Sequence, residues 1–155
     1  MAAVTSNPVT ELLFRIHPWI YRTFKGRVLG AMGGVPIFLL TTTGRKSGEP
    51  RETCLMYVDK GDAWIVAASY AGQPEHPGWY RNLRENPRAS LRIRDRVVPV
   101  RARDAHGEER ERLWREIVAQ DEGFAVYEER TRGVRDIPVV VFEPHPDAAA
   151  TDSEA

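Results

Sequence analysis

The chain has 155 residues, 42% of them hydrophobic and 28% charged, enough for one domain with a buried core and too apolar for a disordered chain. Its 22 Lys+Arg balance 22 Asp+Glu for a net charge of zero, so the overall field attracts neither nucleic acid nor acidic lipid, and any affinity for an anion must come from local clustering. The single cysteine, Cys54, excludes an internal disulfide and a multi-cysteine metal site, and it fits a reducing compartment.

The residues before Glu11 show no basic n-region or small-residue cleavage site, and no stretch approaches the roughly 20 apolar residues that span a bilayer. A cytoplasmic protein is expected. Met1–Ser6 is small and polar. Asn7 and Pro8 then suit the cap and first position of a helix. Leu12, Leu13, Ile16, Trp19, Ile20 and Phe24 follow at helical spacing with Arg15, Arg22 and Lys25 between them. Such a stripe either rests weakly on the inner membrane face or packs on the rest of the chain or a second copy. Residues 1–34 therefore read as an amphipathic helical segment, 35–144 as the main domain and 145–155 as a disordered tail.

The main domain opens with an apolar run, Pro36–Thr42, which predicts a buried strand. Turn residues fill 43–50. A second strand covers 52–59, and Lys60-Gly61-Asp62 turns tightly into a third over 63–68. A loop over 69–77 leads to a short helix, 78–86, closed by Asn86-Pro87. Strands 89–93 and 97–104 flank the charged turn Arg94-Asp95-Arg96. Helices over 107–119 and 123–130 precede a last apolar strand, 137–143. About six strands without regular β-α alternation argue against a doubly wound sheet. They fit a mainly β fold, a small and mostly antiparallel barrel with peripheral helices.

Three regions carry candidate chemistry. In Thr41-Thr42-Thr43-Gly44-Arg45-Lys46-Ser47-Gly48, with Arg51 three residues on, hydroxyls, glycine-permitted backbone amides and three cations gather within a few positions. The lysine lies between the glycines and no helix follows, so this is not a phosphate-binding P-loop. It is either a solvated basic turn or an anchor for an anion. In Val66-Ala67-Ala68-Ser69, small side chains leave a groove for a flat ring, with a hydroxyl at its end. Trp79 and Tyr80 either wall that groove or anchor their helix, and Asn82 either serves the site or caps the helix. Late in the chain Phe124 and Tyr127 form a lid or simply pack.

The four histidines, His17, His76, His106 and His145, lack metal-ligand spacing, so no metal is expected. No Gly-x-Ser-x-Gly elbow marks a hydrolase. Cys54 lies inside a strand and reads as inert.

Together the blocks LLTTTGRKSGEPRETCLMYVDKGDAWIVAAS, PGWYRNLRENPRASL and IPVVVFEP resemble the deazaflavin-dependent nitroreductases of actinobacteria, within the split β-barrel flavin-binding proteins. The resemblance spans about residues 36–144. It implies coenzyme F420 as cofactor, its phosphate and glutamate tail held by Thr43, Arg45, Lys46, Ser47, Gly48 and Arg51. By the same resemblance Met56, Ala67, Ala68, Ser69, Tyr70, Trp79, Tyr80 and Asn82 line the remaining cofactor site, and Ser69 with Tyr127 orients the substrate. The implied activity is hydride transfer from reduced F420 to a small electron-poor acceptor: a quinone, an activated alkene or a nitroaromatic. An FMN enzyme on the same barrel and a non-catalytic F420 carrier are the alternatives, and the assembly is a monomer or a homodimer. Two positions depart from the family pattern. Thr53-Cys54-Leu55 stands where relatives usually have Thr-Pro-Leu, and Tyr70-Ala71 precedes Gly72 where relatives often have paired glycines.

Overall fold

The computed structural model describes residues 31–32 and 35–146; the helix expected over 7–24 and the tail beyond 146 lie outside the described residues. The apolar run materialises as strand β2 (Val35–Thr43), preceded by the two-residue β1 (Ala31–Met32). β2 pairs on one side with β3 (Pro50–Met56), placing Leu39 opposite Cys54 and Thr42 opposite Arg51. On its other side Leu40 lies opposite Leu91 of β6 (Arg88–Ile93). Pairing continues through β7 (Arg96–Asp104), β8 (Val139–Pro144), β5 (Trp64–Ala67) and β4 (Val58–Asp59), antiparallel at every step.

The expected strand over 52–59 is divided at Tyr57, because β3 and β4 hydrogen-bond to different neighbours. The Tyr57 amide donates to the Pro36 carbonyl at 3.2 Å, and its buried ring meets Phe38 edge-on at 4.8 Å. One bent strand thus pairs with β2 at one end of the curled sheet and with β5 at the other. With β3 and β4 counted as one, the six expected strands are present, and β1 is an addition. The fold is the mainly β, split-barrel type with peripheral helices.

Inside the curl, Phe38, Leu40, Leu91, Val100 and Phe142 pack with Tyr80 and Leu83 of helix α1 (Gly78–Glu85). Each such side chain taken fully out of water contributes about 1.5–3 kcal/mol before entropy is counted. On the opposite face of β5 and β8, Ile65, Ala67, Val139 and Val141 meet Leu113, Trp114 and Ile117 of α2 (Gly107–Gln120). Burial on both faces is why these strands read as unbroken apolar runs instead of alternating. Helix α3 (Gly123–Thr131) lies against a short helical turn at Tyr70–Gly72. The Gln120 amide donates to the Tyr57 carbonyl at 2.8 Å and ties the end of α2 to the bend. No helix among the described residues is long and apolar enough to cross a membrane.

Candidate active site

The basic segment is the loop between β2 and β3. Its neck is closed by the Gly44 amide donating to the Glu49 carbonyl at 2.8 Å, and by the Gly48 amide donating to the Gly44 carbonyl at 2.8 Å. The Ser47 hydroxyl accepts from the Glu49 amide at 3.1 Å and from the Arg51 guanidinium at 3.3 Å. A side chain at 44 would meet Ser47 Oγ at 2.8 Å and the Glu49 carbonyl at 3.0 Å, so glycine is required there by close approach. Gly48 sits at φ 72°, a left-handed conformation that glycine takes without steric cost. The tip amides of Lys46 and Ser47 have no hydrogen-bond partner among the described residues. Neither do Arg45, Lys46 and Arg51, all exposed, form an ion pair there. Three cations without a carboxylate partner among the described residues, over two open amides, supply the donors that an anion needs.

The loop is not loose. Asn82 of α1, 5% exposed, accepts at its Oδ1 from the Arg45 amide (3.2 Å) and the Arg45 guanidinium (3.0 Å). Its Nδ2 donates to the buried Thr42 hydroxyl at 3.1 Å. Asn82 is therefore a positioning residue that sets Arg45 from beneath, and its side chain does not cap α1. Thr42, which the sequence shows only as one of three consecutive threonines, is the one tied to Asn82. It faces inward with Phe38 and Leu40, whereas Thr43 falls on the opposite face of β2.

The second region forms a lip. Ser69, 8% exposed, follows β5, and its hydroxyl has no hydrogen bond among the described residues. Next come Tyr70, Ala71 and Gly72 at φ 47°, 52° and 75°. Non-glycine residues held left-handed cost about 1–3 kcal/mol each and persist only where the surroundings fix them. Part of that fixing comes from α3. Arg130 donates to the Ala71 carbonyl at 3.3 Å, and the Gly72 position lies so close that an added Cβ would meet Arg130 Cβ and Cδ at 2.9 Å and Tyr127 Cα at 3.4 Å. The structure thereby brings the backbone of Tyr127 against Gly72, while its ring packs with Phe124 on the α2 side, edge-on at 5.7 Å and under the Arg130 guanidinium at 5.8 Å. Tyr70 itself is 54% exposed.

Helix α1 joins the two regions. Trp79, partly buried, packs on the interior core and meets Tyr80 edge-on at 6.2 Å. Tyr80 is buried, and its hydroxyl donates to Asp104 at 2.6 Å. Burial, the Asp104 hydrogen bond and its charge push the phenol up to about 12. The His76 ring lies 5.0 Å from Tyr80, and burial with the charges of Arg135, Arg84 and Arg81 holds its pKa below the usual histidine value. Ala67 and Ala68 are buried. Met56 shares the outer face of the sheet with Ile37, Leu39 and Cys54, away from the face that carries Phe38, Leu40 and Tyr80. Burial pushes the Cys54 thiol up to about 12, which keeps it unreactive.

A cleft of about 180 Å³ opens beside Leu83, Arg84, Asp104 and Val140. Another of about 340 Å³ lies between Arg110, Thr131, Arg135 and Ile137. Neither is lined by the basic loop or by Ser69. The described residues contain no group of three or more His, Cys, Asp or Glu placed to hold a metal ion.

With this geometry in view, residues 13–144 match the family model described as F420H(2)-dependent quinone reductase. The chain belongs to that family. An F420H(2)-dependent quinone reductase of Mycobacterium tuberculosis is 39% identical over 133 residues, covering 84% of this chain and 89% of the relative. The solved structure of an F420-H2 dependent reductase (FDR-A) is 42% identical with a TM-score of 0.64, covering 70% of this chain and 94% of that one. A solved domain-swapped dimer is 39% identical with a TM-score of 0.64, covering 82% and 98%. The matching family is described by quinone reduction rather than nitro reduction.

For this quinone-reductase family member, the donor set of the basic loop suits a cofactor with a polyanionic tail. Sequence reading missed two residues that hold the site together. Asp104 anchors Tyr80 from a strand end that looks like ordinary alternating β. Arg135 bonds backbone carbonyls more than 60 positions earlier, and carbonyls carry no sequence signal; its only hint was a lone arginine between Gly133 and an apolar strand.

Proposed function

We propose that this chain is an F420H2-dependent reductase that passes hydride to a small quinone, and to enones or nitroaromatics of similar polarity. The observation that carries the reading is the β2–β3 loop, whose Arg45, Lys46 and Arg51 lack carboxylate partners and whose Lys46 and Ser47 amides stay open among the described residues. When bound, reduced F420 supplies the hydride. The chain's own residues bind and orient. Arg45, Lys46, Arg51 and the tip amides hold the phosphate and glutamate tail through charge-assisted hydrogen bonds. Asn82 and Thr42 fix the loop from below, and Thr43 and Gly48 shape its neck. Trp79, Ala68 and Tyr70 border the ring site, and buried Tyr80 supports that wall from behind; Ala67, expected there, faces α2 on the other side of β5 and has no part in it.

The Ser69 hydroxyl and the Tyr127 phenol are the donors at the lip, suited to stabilising negative charge that grows on an acceptor oxygen. No strong acid or base is needed for this role, and among the described residues the Ser69 hydroxyl has no hydrogen-bonded base.

Anaerobic mixing of the protein with F420H2 and menadione, followed by deazaflavin absorbance, tests the reading. Protein-dependent oxidation of F420H2 on addition of menadione is expected. Tight F420 binding without oxidation by any of a panel of quinones and enones would make the chain a carrier, and turnover with FMN but not F420 would make it a flavin enzyme.

A further inference from the structure

We propose that Arg135 is a positioning residue for the acceptor side of this site: it locks the Ser69–His76 loop, and through it the lip that meets the substrate, without touching the substrate itself. The inference rests on the functional reading above and extends it to a residue outside the cofactor loop and the lip.

Arg135 lies between α3 and β8. The Val134 and Arg135 amides both donate to the Thr131 carbonyl, at 2.9 and 3.0 Å, and Gly133 takes φ 77°. This turn sends the Arg135 side chain back against the 69–76 loop. There Nη2 donates to the Ser69 carbonyl at 2.7 Å, Nη1 to the Ala68 carbonyl at 3.2 Å and Nε to the Gln73 carbonyl at 3.0 Å. Nη1 also lies 3.1 Å from His76 Nδ1. Because a guanidinium only donates, that ring nitrogen must be the acceptor.

Two points separate this from an ordinary structural arginine. First, Arg135 has no carboxylate partner among the described residues, and its charge is spent on carbonyls. A fork of fixed geometry can grip several carbonyls at once, which a lysine ammonium on a flexible stem cannot reproduce. Second, every partner lies in the short stretch 68–76 around the left-handed Tyr70–Gly72 turn. That stretch has little regular structure of its own. Arg130 holds the outer side of the turn at Ala71 and Arg135 holds its roots, at Ala68–Ser69 and Gln73. Removal of the roots frees Ser69 and Tyr70 while leaving the basic loop, which is tied to Asn82, as it was.

The test compares full-length wild type with Arg135→Lys, Arg135→Met and His76→Ala, the last removing one of the four contacts and serving if the arginine variants fold poorly. Three readouts are taken: F420 binding, steady-state kinetics with menadione, and amide hydrogen exchange. In both Arg135 variants the acceptor KM should rise by about tenfold or more, with F420 affinity, held mainly by the untouched basic loop, falling by a clearly smaller factor. Exchange should quicken in 69–76 while β5, β7 and β8 keep their protection. Arg135→Lys should resemble Arg135→Met, and His76→Ala should show a smaller shift in the same direction. Unchanged exchange in 69–76, or equal loss of protection across β5 and β8, would overturn the proposal. So would a rescue by lysine. If wild type bound no F420, the functional reading would fall, while the exchange arm would still decide whether Arg135 locks the loop.

Discussion

Asn82 and Arg45, 37 residues apart in sequence, share a two-pronged contact in which one amide oxygen accepts from both the backbone and the guanidinium of the arginine. The other arm of the amide donates to Thr42, so one buried side chain joins α1, the end of β2 and the cationic loop. Asn82→Ala removes all three bonds and leaves the buried Thr42 hydroxyl unpaired. The expected loss is about 1–3 kcal/mol of stability, read from urea unfolding, together with weaker F420 binding. Asn82→Asp is the informative companion. Its carboxylate accepts from Arg45 and from the Thr42 hydroxyl, so stability should suffer less, while the added negative charge should weaken affinity for a polyanionic tail. If both variants bind F420 as wild type does, Asn82 has no part in setting the loop.

Gly48 and Gly72 share a left-handed backbone but not their surroundings. An added methyl at 48 meets nothing within 4 Å, whereas at 72 it meets Arg130 at 2.9 Å. Gly48→Ala should therefore cost only the conformational strain, about 1 kcal/mol. Gly72→Ala should cost more, about 2–4 kcal/mol, because helix α3 must also yield. Thermal unfolding of the two variants side by side checks the order. Equal losses would mean that α3 is not seated on the turn as described. Activity should divide the same way, with Gly72→Ala raising the acceptor KM.

Much of this arrangement was legible in the sequence because it rests on local rules. The apolar runs, the Lys60-Gly61-Asp62 turn and the Asn86-Pro87 helix stop each specify an element within one or two residues of where it lies. The basic loop was legible as chemistry, since two cations between glycines and a third just beyond need no fold to be noticed. What stayed hidden was which residues act through others. The parity of β2 could not be read from a run that is apolar on both faces, so Thr42 and Thr43 could not be told apart. The break at Tyr57 depends on two different partner strands. Asn82 could be named but not assigned, because its partners lie about 40 positions away. Arg135 was invisible for the reason given above.

His76 gives the fold a pH dependence of known sign. The groups acting on it are Arg135 from the α3–β8 connection, Arg84 and Arg81 from α1, and Asp104 from β7, and only Asp104 favours the charged ring. Burial and the three arginines leave the folded pKa below the unfolded value of about 6.5. The unfolded chain thus binds the proton more readily. The contribution of His76 is intact above the unfolded pKa, declines as pH falls towards the folded pKa, and levels off below it. Protonation at Nδ1 also removes the acceptor facing Arg135. Urea midpoints of wild type and His76→Gln between pH about 7.5 and 5 measure this: the wild-type decline should be the steeper. Parallel curves would show that His76 is not held neutral by its neighbours.

Lys46 is the residue that best separates cofactor binding from folding. It is exposed and makes no ion pair or side-chain hydrogen bond among the described residues, so Lys46→Ala should move stability by no more than about 0.5 kcal/mol. If it meets the cofactor tail, the same substitution should weaken F420 binding by about 1.5–3 kcal/mol, roughly ten- to 150-fold. Arg51→Ala should show a similar loss of affinity, with a slightly larger cost in stability because Ser47 loses a donor. Both effects should shrink as ionic strength rises from about 0.01 M to 1 M, over which the screening length falls from about 30 Å to 3 Å. With the loop holding the tail and the lip handling the acceptor, as proposed, turnover at saturating F420 should be nearly unchanged. Fluorescence titration at both salt concentrations, paired with kcat, measures each quantity separately. A fall in kcat with affinity preserved would place the loop beside the reacting ring instead of at the tail.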